Sequence, residues 1–335
     1  MNPTITRNSV SSNIFTWVVA CTLIVLATAP LWAGRSDLRF LSEVFLYLGL
    51  AYLWNLLAGY AGLVSVGQQA YVGFGGYLLF ALAMNIGITP IALLPVVGLA
   101  GMLIAIPIAT LIFRLHGAYF AIGTWVIAEV FRLSAAQVSS LGGGSGTSLP
   151  VSVVKTIASS RSDRESFSYW AALAVLVLII GLVFLFLRSR TGLAMTAIRD
   201  NELASESLGI NIWRTKFIVY VTTAGLTAML GALIFMQKLR ISPDAAFSVN
   251  DWTAFVIFIV VIGGIGTLEG PIIGTLLYFL LRETLADLGT VYLMILGATA
   301  ILIMLMAPKG IWGLINSRFG IELFPMTRRV VFNKE

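Results

Sequence analysis

Cysteine and histidine occur once each in this chain of 335 residues, as Cys21 and His116. One cysteine excludes an intrachain disulfide and a thiolate metal cluster. With a single histidine beside it, neither a metal-ligand set nor a nucleophile with its base can be assembled, so no catalytic, metal or cofactor residue is expected in this chain. A Gly-x-x-x-x-Gly-Lys-Ser/Thr phosphate loop is also missing, so the chain does not cradle ATP by that route. Charge is scarce: 11% of residues are Asp, Glu, Lys or Arg, against about a quarter in ordinary globular domains. Fifteen acids and 21 bases are too few to cover the surface of a soluble protein of this length. The net charge of +6 resides at the ends of apolar segments rather than along a stripe, which excludes a nucleic-acid partner.

What is abundant is apolar surface, with 59% hydrophobic residues. Stretches near the twenty residues needed to span hydrocarbon fall at 14–33, 40–60, 68–86, 90–113, 116–134, 169–187, 216–237, 252–266, 270–288 and 290–307. The expected fold is an all-α, polytopic transmembrane helical bundle of about 8–10 membrane segments. It forms a single transmembrane domain over 1–335, with a membrane core at about 14–307 and a tail at 308–335. The run after Arg7 imitates a signal peptide through Ala27-Thr-Ala29, but it continues to Ala33, longer than most signal cores, and is read as a retained first helix. Glycines interrupt the pattern at 59–67 and 263–271, where helices are expected to break; such backbone survives at membrane depth only when packed in protein or lining a cavity. Bases cluster at Arg188/Arg190/Arg199/Arg214/Lys216 and at Lys309/Arg318/Arg328/Arg329/Lys334. The positive-inside rule then puts the 188–216 loop and both termini on the cytoplasmic side of the membrane. Segments 135–168, with Gly142-Gly-Gly-Ser-Gly-Thr-Ser148, and 238–251 are expected outside.

The 188–216 segment is a polar island in an apolar chain. Leu193, Ala197, Ala204 and Leu208 fall near one helical face, with Ala194 and Ile198 beside it, while Arg199, Glu202 and Glu206 share another. A short amphipathic helix is predicted over 193–208, with Gly192 just before it and Gly209 where a left-handed turn would end it. Its polar face mixes acids with bases, unlike a helix lying on anionic headgroups, so it reads as a docking surface for a partner in water.

Other polar residues fall in apolar surroundings. Glu129 has Arg132 three residues on, which reads as a pair on one helix or as a gate or substrate contact. Gln68 and Gln69 flank a glycine hinge, and either hydrogen-bond a passing zwitterion or satisfy backbone freed by the break. Asn55 reads as interhelical glue. Gly73, Gly75 and Gly76, and Gly263, Gly264 and Gly266, mark close backbone approach or an open passage. With Gln68, Gln69 and Glu129 they form the candidate substrate path. Gly62-Leu-Val-Ser-Val-Gly67 also echoes Gly264-Ile-Gly-Thr-Leu-Glu-Gly270, the sign of a paired break about a central path.

Gly192, Ala197, Ile198, Arg199, Glu202, Ala204 and Gly209 resemble the cytoplasmic coupling segment of permeases of ATP-binding-cassette importers for branched-chain amino acids. So do the stretches Gly59-Tyr-Ala-Gly-Leu-Val-Ser-Val-Gly-Gln-Gln-Ala-Tyr-Val-Gly-Phe-Gly-Gly-Tyr77, Gly117-Ala-Tyr-Phe-Ala-Ile-Gly-Thr124 with Ala128-Glu129, Gly142-Gly-Gly-Ser-Gly146, Gly263-Gly-Ile-Gly-Thr-Leu-Glu-Gly-Pro271 and Ala307-Pro-Lys-Gly-Ile-Trp-Gly313. Together they cover residues 40–313 and are most similar to the LivM-like branch. The chain departs from that pattern at Gln68, where the family often has histidine, and at Ser145, where asparagine is common; both fall where a substrate path would run. The resemblance implies a second permease subunit, two cytoplasmic ATPase subunits that use the ATP, an extracytoplasmic substrate-binding protein, a small-molecule substrate and a lipid environment. Importers of urea and short amides use similar permeases and differ in cargo alone. An ion-coupled secondary carrier would hold acidic or histidine residues deep in the bundle, and only Glu129 is a candidate.

Overall fold

The computed structural model describes residues 3–6, 10–158, 160–285, 288–289, 291–307, 309–319 and 329–332. Arg7 and, in the tail, Pro308, Arg328 and Lys334 lie outside the described residues. In chain order the elements are β1 (Pro3–Thr6), α1 (Val10–Thr28), α2 (Arg35–Asn55) prolonged by a π-turn (Leu56–Tyr60), α3 (Gln68–Ile86), α4 (Pro90–Ile112), α5 (Ala118–Ala136), β2 (Thr147–Ser148), α6 (Val151–Ile157), α7 (Arg161–Arg188), α8 (Arg190–Asp200) and α9 (Glu202–Ser207). They continue as α10 (Ile212–Lys238), β3 (Arg240–Ile241), α11 (Pro243–Ala246), a second π-turn (Asn250–Ala254), α12 (Phe255–Gly263), α13 (Gly270–Leu285), α14 (Val291–Met306), α15 (Gly310–Phe319) and β4 (Arg329–Phe332). Eight helical stretches among the described residues are long and apolar enough to cross a membrane. Each expected apolar segment is helical, although α13, at 16 residues, spans only about 24 Å at 1.5 Å per residue.

The helices meet through small residues, which substitute close contact for a hydrophobic force that lipid does not supply. α10 is central. A Cβ at Gly75 of α3 would overlap the Ala228 carbonyl of α10, and one at Gly231 of α10 would overlap Val72 of α3. Across α4 and α10, Gly98 meets Met229 and Gly101 meets Ala228 in the same way. α2, α12 and α13 pack through aromatics, with Tyr47, Tyr278 and Phe279 mutually within 5.3–5.7 Å, a geometry that adds to their area burial. α1 docks on the start of α7, where Tyr169 and Trp170 donate to the carbonyls of Leu26 and Ala27.

Two faces follow from these contacts. On one, Arg39 near the start of α2 pairs with Glu165 in the first turns of α7, and Gln237 at the end of α10 reaches the Ser168 carbonyl. Here β2 and β3 pair antiparallel, Thr147 with Ile241 and Ser148 with Arg240, so segments 135–168 and 238–251 are one surface. The second of these is shorter than expected, because α11 and the π-turn carry helix out to Pro243. On the opposite face are the end of α2, helices α8 and α9, and the start of α15. β1 and β4 pair antiparallel, from Pro3 with Phe332 to Thr6 with Arg329. Cysteines placed at exposed Ser145 and Ser162 in a Cys21→Ala background are expected to react with an impermeant thiol reagent in intact cells. Labelling only after lysis would reverse the orientation.

Candidate functional site

The two glycine breaks meet each other. At the end of α2, Asn55 accepts at Oδ1 from the Gly266 amide at 2.8 Å and donates from Nδ2 to the Thr267 carbonyl at 2.7 Å, while Tyr52 donates to the Leu268 carbonyl at 2.8 Å. A free backbone stretch deep in the bundle is thereby satisfied by side chains of the other broken helix, as burial demands. Gly59 has no room for a Cβ, which would overlap Asn55 Oδ1 and press on Gly266. Gly264 and Gly266 have φ of 135° and 75°, a region costly for residues with a Cβ.

The 117–124 and 307–313 stretches meet these breaks, whereas Gly146 sits on the opposite face against Ile241. Val66 donates its amide to Thr124 Oγ1 at 3.0 Å, and a Cβ at Gly67 would overlap the Thr124 carbonyl, which seats the first break on α5. Gly310, opening α15, presses on Gly264 of the second break. Stretches scattered over 250 residues of chain thus share one neighbourhood. Arg199, the last basic residue of α8, donates from Nη1 to the Gly59 carbonyl at 2.7 Å and holds Asp200 with its other nitrogens. It therefore ties the polar helices to both breaks.

The predicted single helix 193–208 is two helices. Asn201 turns out to φ −160°, ψ 109° and caps α9 by accepting from the Ala204 amide at 3.0 Å, which a continuous helix would forbid. α9 ends as expected at Gly209, with φ 80°: its amide bonds the Glu206 carbonyl and that of Ile210 bonds Ser205, the Schellman pattern. The predicted apolar face stays outward at Leu193 and Leu208, and a different side meets the bundle. Met195, Ile198 and Ser205 face the bundle, with Gly192 held where a Cβ would overlap the Leu187 carbonyl; Ala197 is half-buried and Ala204 exposed. Glu202 pairs with Lys216 of α10. Arg199 and Glu202 thus anchor the helices, and the outward surface is Leu193, Leu203 and Leu208, exposed at 68%, 78% and 80%. Three leucines this open on a segment outside the apolar spans form an apolar patch of the kind that marks an interaction site.

The residues expected along a substrate path have mostly been given to packing. Gly73 lies against the Phe247 ring, Gly75 against Ala228, Gly76 against Phe235 and Ile241, and Gly263 against the Gly270 carbonyl. Gly264 and Gly266 line the clamped break. Gln68 is buried and donates to the Leu50 carbonyl at 3.1 Å, and Gln69 accepts from Thr253. Each amide thus serves backbone or a neighbouring helix through one atom, while Gln68 Oε1 and Gln69 Nε2 are buried without a hydrogen-bond partner. Glu129 pairs with Arg132 at 2.6 Å, which also reaches Asp244 at 2.7 Å; it is the member of the set that stays open, with its side chain 46% exposed. Gln68→Leu is accordingly expected to lower the melting temperature, by the roughly 1 kcal/mol of a lost buried hydrogen bond, and to leave the KM of uptake unchanged. A raised KM at unchanged stability would restore the cargo contact. Asn55 takes the interhelical role expected of it, whereas only the glycine breaks beside them signalled Tyr52 and Thr267.

A multi-pass helical bundle with paired helix breaks, clamped to polar helices outside the apolar spans, has the architecture of a membrane transport subunit. Residues 38–306 match the family described as branched-chain amino acid transport system, permease component, and the chain belongs to it. It is similar to the high-affinity branched-chain amino acid transport system permease protein LivM of Escherichia coli (strain K12), 29% identical over 97% of this chain and 78% of the relative. The LivM protein of Salmonella typhimurium is 27% identical with the same coverage. The fructose import permease protein FruG of Bifidobacterium longum is 24% identical over 81% of this chain and 82% of its own. No solved structure matches.

Proposed function

We propose that this chain is the translocation subunit of an ATP-driven importer of branched-chain or other hydrophobic amino acids, worked by separate ATPase subunits through the 188–216 segment. The observation that carries the reading is Arg199 on Gly59. It gives the polar helices direct purchase on the broken helices, so that force applied from water reaches backbone inside the bundle. Leu193, Leu203 and Leu208 supply the apolar contact for an ATPase groove. In this reading α8, α9 and both termini are cytoplasmic in a bacterial inner membrane. A second permease covers part of the open bundle, and the surface joined by β2 and β3 receives an extracytoplasmic binding protein. The relatives support an amino-acid cargo by name, although one is named for fructose import, so cargo varies among similar chains. Uptake of a labelled panel of branched-chain amino acids, urea, short amides and fructose by the reconstituted complex tests the reading. ATP-dependent uptake of the amino acids is expected. Uptake of urea or amides instead would move the chain to the amide importers, and uptake driven by an ion gradient without ATP would overturn the ATPase role.

A further inference from the structure

A cavity of 380 Å³ opens on the face opposite α8 and α9, between the outer ends of α2, α7 and α10. That volume is within the roughly 300–1,000 Å³ of small-molecule pockets. Its floor and walls are apolar and aromatic, with Leu46, Tyr47, Ile234 and Trp252. Its charges are unevenly matched. Glu43 is saturated by Arg282 at 2.7 and 2.8 Å, and Glu165 Oε1 takes both Arg39 and Arg161. Arg164 and Lys238 also line the cavity, and among the described residues neither has a carboxylate at ion-pair distance. Lys238 Nζ lies instead over the Trp252 ring, 4.7 Å from its centre. Between them, the side chain of Glu165 is only 9% exposed, yet its Oε2 is buried with no hydrogen-bond partner.

A solvated rim of helix ends would leave no carboxylate oxygen both buried and unpaired, because the desolvation goes uncompensated. What satisfies this arrangement is a molecule that brings an anionic group to Arg164 and Lys238, a cationic donor to Glu165 Oε2, and a small apolar body to Leu46, Ile234 and Trp252. We infer that the cavity binds a free α-amino acid as its zwitterion, carboxylate to Arg164 and Lys238 and ammonium to Glu165. This is a site within one permease chain, away from the helix breaks. The choice of an aliphatic side chain rests on the amino-acid reading above, whereas the zwitterion is argued from Arg164, Lys238 and the unpartnered Glu165 Oε2.

The test is calorimetric titration of the full chain in nanodiscs of phosphatidylglycerol with L-leucine, with 4-methylpentanoate, which lacks the ammonium, and with leucinol, which lacks the carboxylate. Leucine is expected to bind saturably and both analogues at least about tenfold more weakly, since each leaves one half of the charge pairing unmade. Lys238→Met and Arg164→Gln, which leave the ion pairs of Glu165 and Glu43 in place, are each expected to weaken leucine about tenfold while analogue binding stays poor. No saturable leucine binding, equal binding of 4-methylpentanoate, or unchanged affinity in both variants would overturn the site. Phosphatidylethanolamine that co-purifies, as seen by native mass spectrometry, and excludes leucine would overturn it in favour of a lipid headgroup. Leucine uptake by the complete importer, measured alongside, separates the two readings. Uptake without binding here removes this site alone, and binding here without amino-acid uptake removes the proposed cargo.

Discussion

Arg199→Ala is expected to cut substrate uptake by the assembled importer at least about tenfold while the ATPase subunits remain bound and continue basal hydrolysis. The arginine reaches across 140 residues of sequence to donate at 2.7 Å to the Gly59 carbonyl. Hydrogen bonds to charged groups contribute about 1.5–3 kcal/mol, enough to shift a two-state helix contact by roughly ten- to a hundredfold. Alanine keeps α8 helical and leaves Leu193, Leu203 and Leu208 where they are, so docking should persist and transmission should fail. Arg199→Lys should recover only part of the loss, because a single ammonium cannot hold Asp200 and Gly59 as the guanidinium fork does. Uptake is measured in proteoliposomes against ATP hydrolysed. Uptake at the unaltered level in Arg199→Ala would show that the contact is not the route of coupling.

Gly75→Leu is expected to have the larger effect on the protein itself, preventing a monodisperse folded chain from being recovered at all. The position faces the Ala228 carbonyl so closely that even a methyl would overlap backbone. Backbone cannot swing aside as a flexible side chain does, so the cost exceeds the 1–3 kcal/mol of ordinary overpacking. Gly181→Leu is the control, since nothing lies within 4 Å of a Cβ there, and leucine should raise helix propensity by about 0.5–1 kcal/mol. Val72 does not serve as one, being fully buried against Gly231. Fluorescence-detected gel filtration and thermal melting of both variants decide the matter. A well-folded Gly75→Leu chain that binds its partners but fails to transport would return this glycine to a passage.

The two breaks were legible as interruptions at 59–67 and 263–271, and the polar island stood out from its apolar flanks. Their relation did not. The break in the polar helix at Asn201 was missed because the apolar periodicity runs through it; an asparagine in that place is equally at home on an exposed helical face, and only its side-chain bond to the Ala204 amide makes it a cap. Arg199 and Glu202 belong to the coupling set by resemblance, and their spacing shows only that they share a helical face. In the structure they also bond the Gly59 carbonyl and Lys216, partners that periodicity cannot see.

Hydropathy and helix-breaking are sums over neighbouring residues, so composition and spacing alone determined that this chain is a helical bundle crossing a membrane many times, where its two glycine breaks fall, and which loop is polar. Pairing in three dimensions is not such a sum. Asn55 satisfies backbone 212 residues away, Gly75 was free to line a passage or a contact until α10 was placed beside it, and the unpaired Glu165 oxygen exists only because α2, α7 and α10 end together. Those outcomes depend on which helix faces meet, and that was decided by the packing of small residues and the satisfaction of freed backbone across the whole bundle.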